Sequence, residues 1–157
     1  MGNPCLDISD LIPQRGAMCL LDSIDSWDEA HIVCRSTSHR RPDNPLRDDS
    51  GLRAICAIEY GAQAIAAHAA LLGQPGNGNL GGVLAAIRDL TTTCSHLDDI
   101  SGPLTIRADV VLLRDSGRIY DLLVTSGECP LVSGRLSVAW SREVGDSALP
   151  AWPKGLS

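Results

Sequence analysis

Phenylalanine is absent from this 157-residue chain and aromatic residues make up only 3% of it. The core must therefore be filled by Ala, Ile, Leu and Val, whose small side chains let a helix and a sheet approach closely. Positive charge is also scarce: 13 Lys and Arg against 19 Asp and Glu give a formal net charge of -6. That balance excludes general nucleic-acid binding, which needs a basic field over much of the surface. No segment offers the roughly 20 uninterrupted apolar residues of a membrane helix, so no membrane span is expected. The N-terminus carries Asp7 and Asp10 and no basic stretch leading into an apolar run, unlike a secretory signal. Leu6 stands where a myristoylation motif needs Ser or Thr. Cys5, Cys19, Cys34, Cys56, Cys94 and Cys129 form no C-x-x-C pair and have no His at zinc-ligand spacing, which argues against structural zinc. A cytoplasmic protein with reduced thiols is expected.

A chain of this length with 44% hydrophobic residues can bury one good core but hardly two, so residues 1–140 are read as a single domain. Residues 141–157, without a clear period, are read as a peripheral tail. Asp7 to Leu11 suits a short helical turn ended by Pro13. Met18 to Ile24 and His31 to Thr37 read as a hairpin of two strands. Ser38 to Gly51, rich in Pro, Asp, Asn and Arg, reads as an ordered loop. A long helix is expected from about Leu52 to Leu72, capped by Ser50 or Asp49 and ended by Gly73. Its apolar residues leave only a narrow polar stripe, which implies burial on most sides. Four β-like runs follow: Val83 to Thr92, Leu104 to Leu113, Ile119 to Ser126 and Leu131 to Trp140. A hairpin, a long buried helix and a strand meander make an α+β layout in which an antiparallel sheet covers the helix.

Several motifs carry little chemistry. Gly76-Asn77-Gly78-Asn79-Leu80-Gly81 matches G-x-G-x-x-G, but a dinucleotide site needs a strand before it and a helix after it, the reverse of the order here. Ser95-His96 with Asp98 and Asp99 has the residue types of a hydrolase triad without a nucleophile elbow, and reads as strand-end and turn. His31 and His68 read as ordinary structural histidines. Glu59 differs, because it interrupts a densely apolar helical run, where a carboxyl without a purpose or a partner is unfavourable; Gln63 lies four residues on, along the same face, and the two fit either a solvent-facing or interface stripe or a functional acid with its neighbour. Acids in apolar surroundings serve as general acids near neutrality. His39, in the loop, can remove a proton if held against a substrate. Arg40, Arg41, Arg47 and Arg53 gather positive charge around it, fitting either a solvated loop balanced by Asp43, Asp48 and Asp49 or a patch for phosphate or an acidic partner.

These elements resemble the hotdog-fold 3-hydroxyacyl-ACP dehydratases. Leu11-Ile-Pro-Gln-Arg-Gly-Ala-Met-Cys-Leu-Leu-Asp22 is similar to their L-x-P-H-R…L-L-x-D opening, with Gln14 in place of the frequent His. Ile58-Glu59-Tyr-Gly-Ala-Gln63 is similar to their central-helix E-x-x-A-Q. The segments His39-Arg-Arg-Pro42-Asp-Asn44-Pro45-Leu46-Arg47 and Ile58 to Gln63 bring the chain nearest to the dehydratase-like branch of aryl polyene and related pigment clusters. The usual G-H-F-P-G loop is missing.

The resemblance implies an antiparallel β-sheet wrapped around a long central helix, with His39 and Glu59 as the catalytic pair. It places Gln63, Arg40, Arg41, Arg47, Arg53, Ala54 and Ile55 around the substrate, the last three by backbone N–H groups at the start of the helix. No metal or redox cofactor is implied, the substrate being carried on phosphopantetheine as an acyl carrier protein or coenzyme A thioester. A homodimer, or a heterodimer with another hotdog protein, is implied too. Alternatives are a hotdog acyl thioesterase and a non-catalytic subunit of a hetero-oligomeric dehydratase.

Overall fold

Strands form where apolar and polar side chains alternate, and the computed structural model, which describes residues 6–73 and 82–140, bears this out. Leu104, Ile106 and Ala108 turn inward on one strand and Tyr120, Leu122 and Val124 on the next, with more exposed residues between them. The strands are β1 (Ser23–Trp27), β2 (His31–Ser36), β3 (Gly82–Thr92), β4 (Leu104–Arg114), β5 (Gly117–Ser126) and β6 (Cys129–Trp140). They make one antiparallel sheet in the order β1-β2-β4-β5-β6-β3. The helix α1 (Ala57–Leu71) packs chiefly against β2, β4 and β5. This is the hotdog arrangement, a sheet wrapped around a central helix. The glycine-rich motif Gly76 to Gly81 and the tail from Ser141 onward lie outside the described residues.

Small residues set the closeness of helix and sheet. A Cβ on Gly61 would lie 2.5 Å from Cδ2 of Leu122, so glycine is what allows α1 to rest directly on β5. Near the C-terminal end of α1 the core holds a polar chain: the Tyr120 hydroxyl lies 2.8 Å from Nδ1 of His68, whose Nε2 donates to the Asp28 carbonyl at 2.6 Å. Arg118 reaches the same hydroxyl at 3.4 Å. His68 is thus a core histidine whose ring nitrogens both have partners, as buried polar groups require.

Two boundaries differ from the sequence reading. The first strand is the polar run Ser23–Trp27 rather than Met18 to Ile24. Leu20 and Leu21 are buried without being a strand, because the Gln63 side chain captures this segment: its Oε1 accepts from Leu20 N–H at 3.0 Å and its Nε2 donates to the Met18 carbonyl at 2.7 Å. The helix begins at Ala57 after a 3-10 turn, Ala54–Cys56, and neither Ser50 nor Asp49 caps it. Leu52 is instead bound to residues 97 and 98, which uses its backbone groups before the helix can start. Gly73, just past the helix, has a positive φ of 68° as anticipated.

Candidate active site

His39 sits in a 3-10 turn, Ser38–Arg40, that follows β2 directly. It is fully buried. Its Nε2 lies 3.0 Å from the carbonyl of Ile100, and a carbonyl only accepts, so Nε2 carries the hydrogen and Nδ1 the lone pair. Among the described residues Nδ1 has no hydrogen-bond partner. Burial pushes the pKa of His39 below the ordinary histidine value, opposed by the Ile100 and Gly102 carbonyls and by Asp22 and aided by the Arg40 guanidinium. The lowered pKa favours the neutral ring, the state a base needs. With Thr37, Arg40, Ser101, Gly102 and Pro103 it lines an open cleft of about 350 Å³.

Glu59 lies in the first turn of α1 and is half-buried. The helical stripe Ile55, Glu59, Ala62, Ala66 is the part of this segment left least covered, with Ile55 56% exposed. Two amides approach the same carboxylate oxygen: Nε2 of Gln14 and Nε2 of Gln63, each 3.5 Å from Oε1. The Gln63 amide cannot be turned around, because Leu20 N–H requires an oxygen at its other end. Gln63 is fully buried and binds the chain's own backbone, so the structure places it beneath Glu59 as a support.

Among the described residues no hydrogen bond or ion pair joins His39 to Glu59, but their chain neighbours are joined. The Tyr60 hydroxyl lies 2.8 Å from Oγ of Ser38, and Asn44 donates both to that hydroxyl, at 3.1 Å, and to the Ser38 carbonyl, at 3.0 Å. Ser38 and Ser36 in turn donate to the Leu20 carbonyl. This buried knot ties the turn carrying His39 to the helix carrying Glu59. Sequence reasoning missed Ser38, Asn44 and Tyr60; the signal available was adjacency, since Ser38 precedes His39 and Tyr60 follows Glu59.

The four arginines separate into two groups. Arg41 pairs with Asp22 at 3.7 Å, Arg47 with Asp98 at 3.2 Å and Arg53 with Asp48 at 3.5 Å. Arg40 donates to the Ser101 carbonyl at 3.0 Å and has no carboxylate partner among the described residues. At the start of the helix the Ala54 N–H is already taken by the Ser95 carbonyl at 2.9 Å, which removes it as a donor for substrate.

Comparisons with known proteins agree with this architecture. No curated protein sequence matches the chain. Among solved structures, it is similar to the dehydratase heterocomplex ApeI:P from Xenorhabdus doucetiae, with 21% identity, 88% of this chain and 93% of that one covered, and a TM-score of 0.77. It is also similar to a variant of a thioesterase from Staphylococcus aureus, at 17% identity with 76% and 93% covered and a TM-score of 0.57. A hypothetical thioesterase with coenzyme A from Streptococcus pneumoniae matches at 16% identity, with 76% and 84% covered and a TM-score of 0.51. At these identities the structures establish the hotdog fold alone. The sequence profile of the ApeP-like family, described as ApeP dehydratase, matches residues 6–148, nearly the whole chain, and the protein therefore belongs to the ApeP-like dehydratase family.

Proposed function

We propose that the protein dehydrates 3-hydroxyacyl thioesters, with His39 and Glu59 as its acid/base pair. The observation that carries this reading is a buried histidine whose Nδ1 has no hydrogen-bond partner among the described residues, in a member of a dehydratase family whose central helix presents one acid, Glu59, on its least covered stripe. His39 takes the C2 proton of the substrate. Glu59, directly or through a water molecule, protonates the departing 3-hydroxyl, so that water leaves and a 2-enoyl thioester remains. Negative charge on the thioester oxygen is favoured near the N-terminal end of α1 by the helix dipole. Gln63 and Gln14 hold the carboxyl of Glu59 in place. The acyl chain lies along Ile55, Ala62 and Ala66, and Arg40, which alone of the four arginines near His39 has no carboxylate partner among the described residues, meets the phosphate of phosphopantetheine or an acidic carrier protein.

We infer that this pair works across two subunits, as the resemblance to the dehydratases implies, since among the described residues no hydrogen bond or ion pair joins the two side chains within one chain. The sheet ends at β3, an eleven-residue edge strand with Val83, Ile87 and Leu90 exposed along it. The opposite edge, β1, is short, polar and irregular near Asp25, features that discourage pairing. We take β3 as the strand that pairs with a second hotdog subunit, and the likeness to a dehydratase heterocomplex makes a different hotdog protein a candidate beside a second copy of this chain.

Thioesterase likenesses favour one rival reading, in which Glu59 activates water against the thioester and His39 is dispensable. Incubation of 3-hydroxyacyl thioesters, on carrier protein and on coenzyme A, with simultaneous detection of enoyl product and free thiol separates the two. Enoyl product without thiol release supports dehydration, and thiol release without enoyl product supports hydrolysis.

A further inference from the structure

The segment Ser95 to Ser101 lies between β3 and β4 and belongs to neither, yet it touches both halves of the candidate site. Its Ile100 carbonyl accepts from His39, and its Ser95 carbonyl accepts from Ala54 at the start of the helix. Leu97 donates to the Leu52 carbonyl at 2.7 Å, and Ile100 N–H closes a turn onto the Leu97 carbonyl at 3.0 Å. Asp98 sits inside that turn. One of its carboxylate oxygens accepts from Leu52 N–H at 2.9 Å and the other from Arg47 at 3.2 Å. Its side chain is 18% exposed and that of Arg47 29%, so this ion pair is partly shielded from solvent. The opposing chain is shaped to admit it: Gly51 has φ of 109°, and a Cβ there would lie 2.6 Å from Oδ2 of Asp98.

We propose that Asp98 is a positioning residue for the dehydration reaction, bracing the segment that orients His39 against the loop that leads from His39 to Glu59. The inference rests on the dehydratase reading of the site. Arg47 and Leu52 are the loop ends of the brace and the Ile100 carbonyl is its histidine end. Asp98 touches neither substrate nor His39; it acts through the Leu97 to Ile100 turn. With the brace removed the turn loosens, water reaches the buried ring, and the main cause holding the His39 pKa below its ordinary value is relieved. Charged groups near the ring, Arg40 and Asp22, stay as they are, so the direction of change is set by hydration.

The test compares full-length wild type with Asp98→Ala and Asp98→Asn, the asparagine keeping a side-chain oxygen for Leu52 N–H. Three quantities are read: kcat and KM for dehydration across pH, the titration of His39 by NMR of labelled histidine, and the melting temperature. Asp98→Ala is expected to lower kcat about ten- to a hundredfold with KM changed less than about threefold, the size of effect a small misplacement produces. The acid limb of kcat/KM and the NMR titration of His39 should both move to higher pH, and Asp98→Asn should recover most of the lost kcat. An Asp98→Ala protein that melts lower but keeps the wild-type kcat and His39 titration overturns the proposal, leaving Asp98 with a purely structural role. The NMR titration does not depend on turnover, so a wild type inactive on 3-hydroxyacyl thioesters refutes the functional reading while the brace is still judged by His39.

Discussion

Glu59 is approached by two amides, and both come from glutamines that the fold has fixed for other reasons. Gln63 secures Leu20 and Met18, and Gln14 belongs to the segment so secured. The polarity around Glu59 is therefore inseparable from the docking of residues 14–21 on α1. A sequence shows Gln63 one helical turn from Glu59, and that much was legible. It does not show that Gln63 faces the chain's own backbone, because the partner lies 43 residues away in sequence. His39 was legible through its loop and neighbours, whereas its tautomer depends on the Ile100 carbonyl, 61 residues distant. The buried histidines also fix a pH dependence. Burial lowers the pKa of both His39 and His68 from the ordinary value of 6.5. The unfolded chain then binds more protons than the folded one below that pH, so the stability gained by keeping both rings neutral is complete above about pH 6.5 and is lost as pH falls through their lowered values. Melting followed by circular dichroism should show the midpoint falling as the buffer goes from about pH 7 to about pH 5; a midpoint that rises over that range contradicts the two buried neutral rings.

Strands and helix were legible where burial imposes a period. The last four strands fall within a few residues of the runs read from alternation; β4, β5 and β6 turn one face to the core, while β3 has only Leu84 packed against it and is otherwise largely exposed. The first strand was misplaced because Leu20 and Leu21 are buried by a side-chain clamp rather than by pairing, so the apolar signal and the strand part company there. The start of the helix was misplaced for a related reason: Leu52 makes its backbone bonds with a distant segment. Helix and sheet meet most tightly at Gly61, and Gly61→Ala must push α1 away from Leu122 or force that side chain into a poorer rotamer. Overpacking of this kind costs about 1–3 kcal/mol. Chemical denaturation should show that loss with an unchanged m-value; a stability equal to wild type would mean the contact yields easily.

At the level of the folded chain, the hotdog topology leaves β3 as a long edge with Val83, Ile87 and Leu90 exposed, and natural sheets seldom leave such an edge bare. Ile87→Lys places a charge on that edge. Sedimentation should then show a dimer for wild type and a shift toward monomer for Ile87→Lys, with dehydration lost in proportion; the same assembly in both proteins would move the interface elsewhere. A second subunit would bear on the chemistry, because among the described residues no hydrogen bond or ion pair joins His39 to Glu59 within one chain. Conversion of 3-hydroxyacyl-ACP to enoyl-ACP, followed by mass spectrometry for wild type and for folded His39→Ala and Glu59→Gln variants, examines the whole proposal together. Dehydration by wild type, reduced by about 10²-fold or more in each variant, is the expected result. Dehydration that survives in both variants would contradict the assignment of His39 and Glu59 as the acid/base pair.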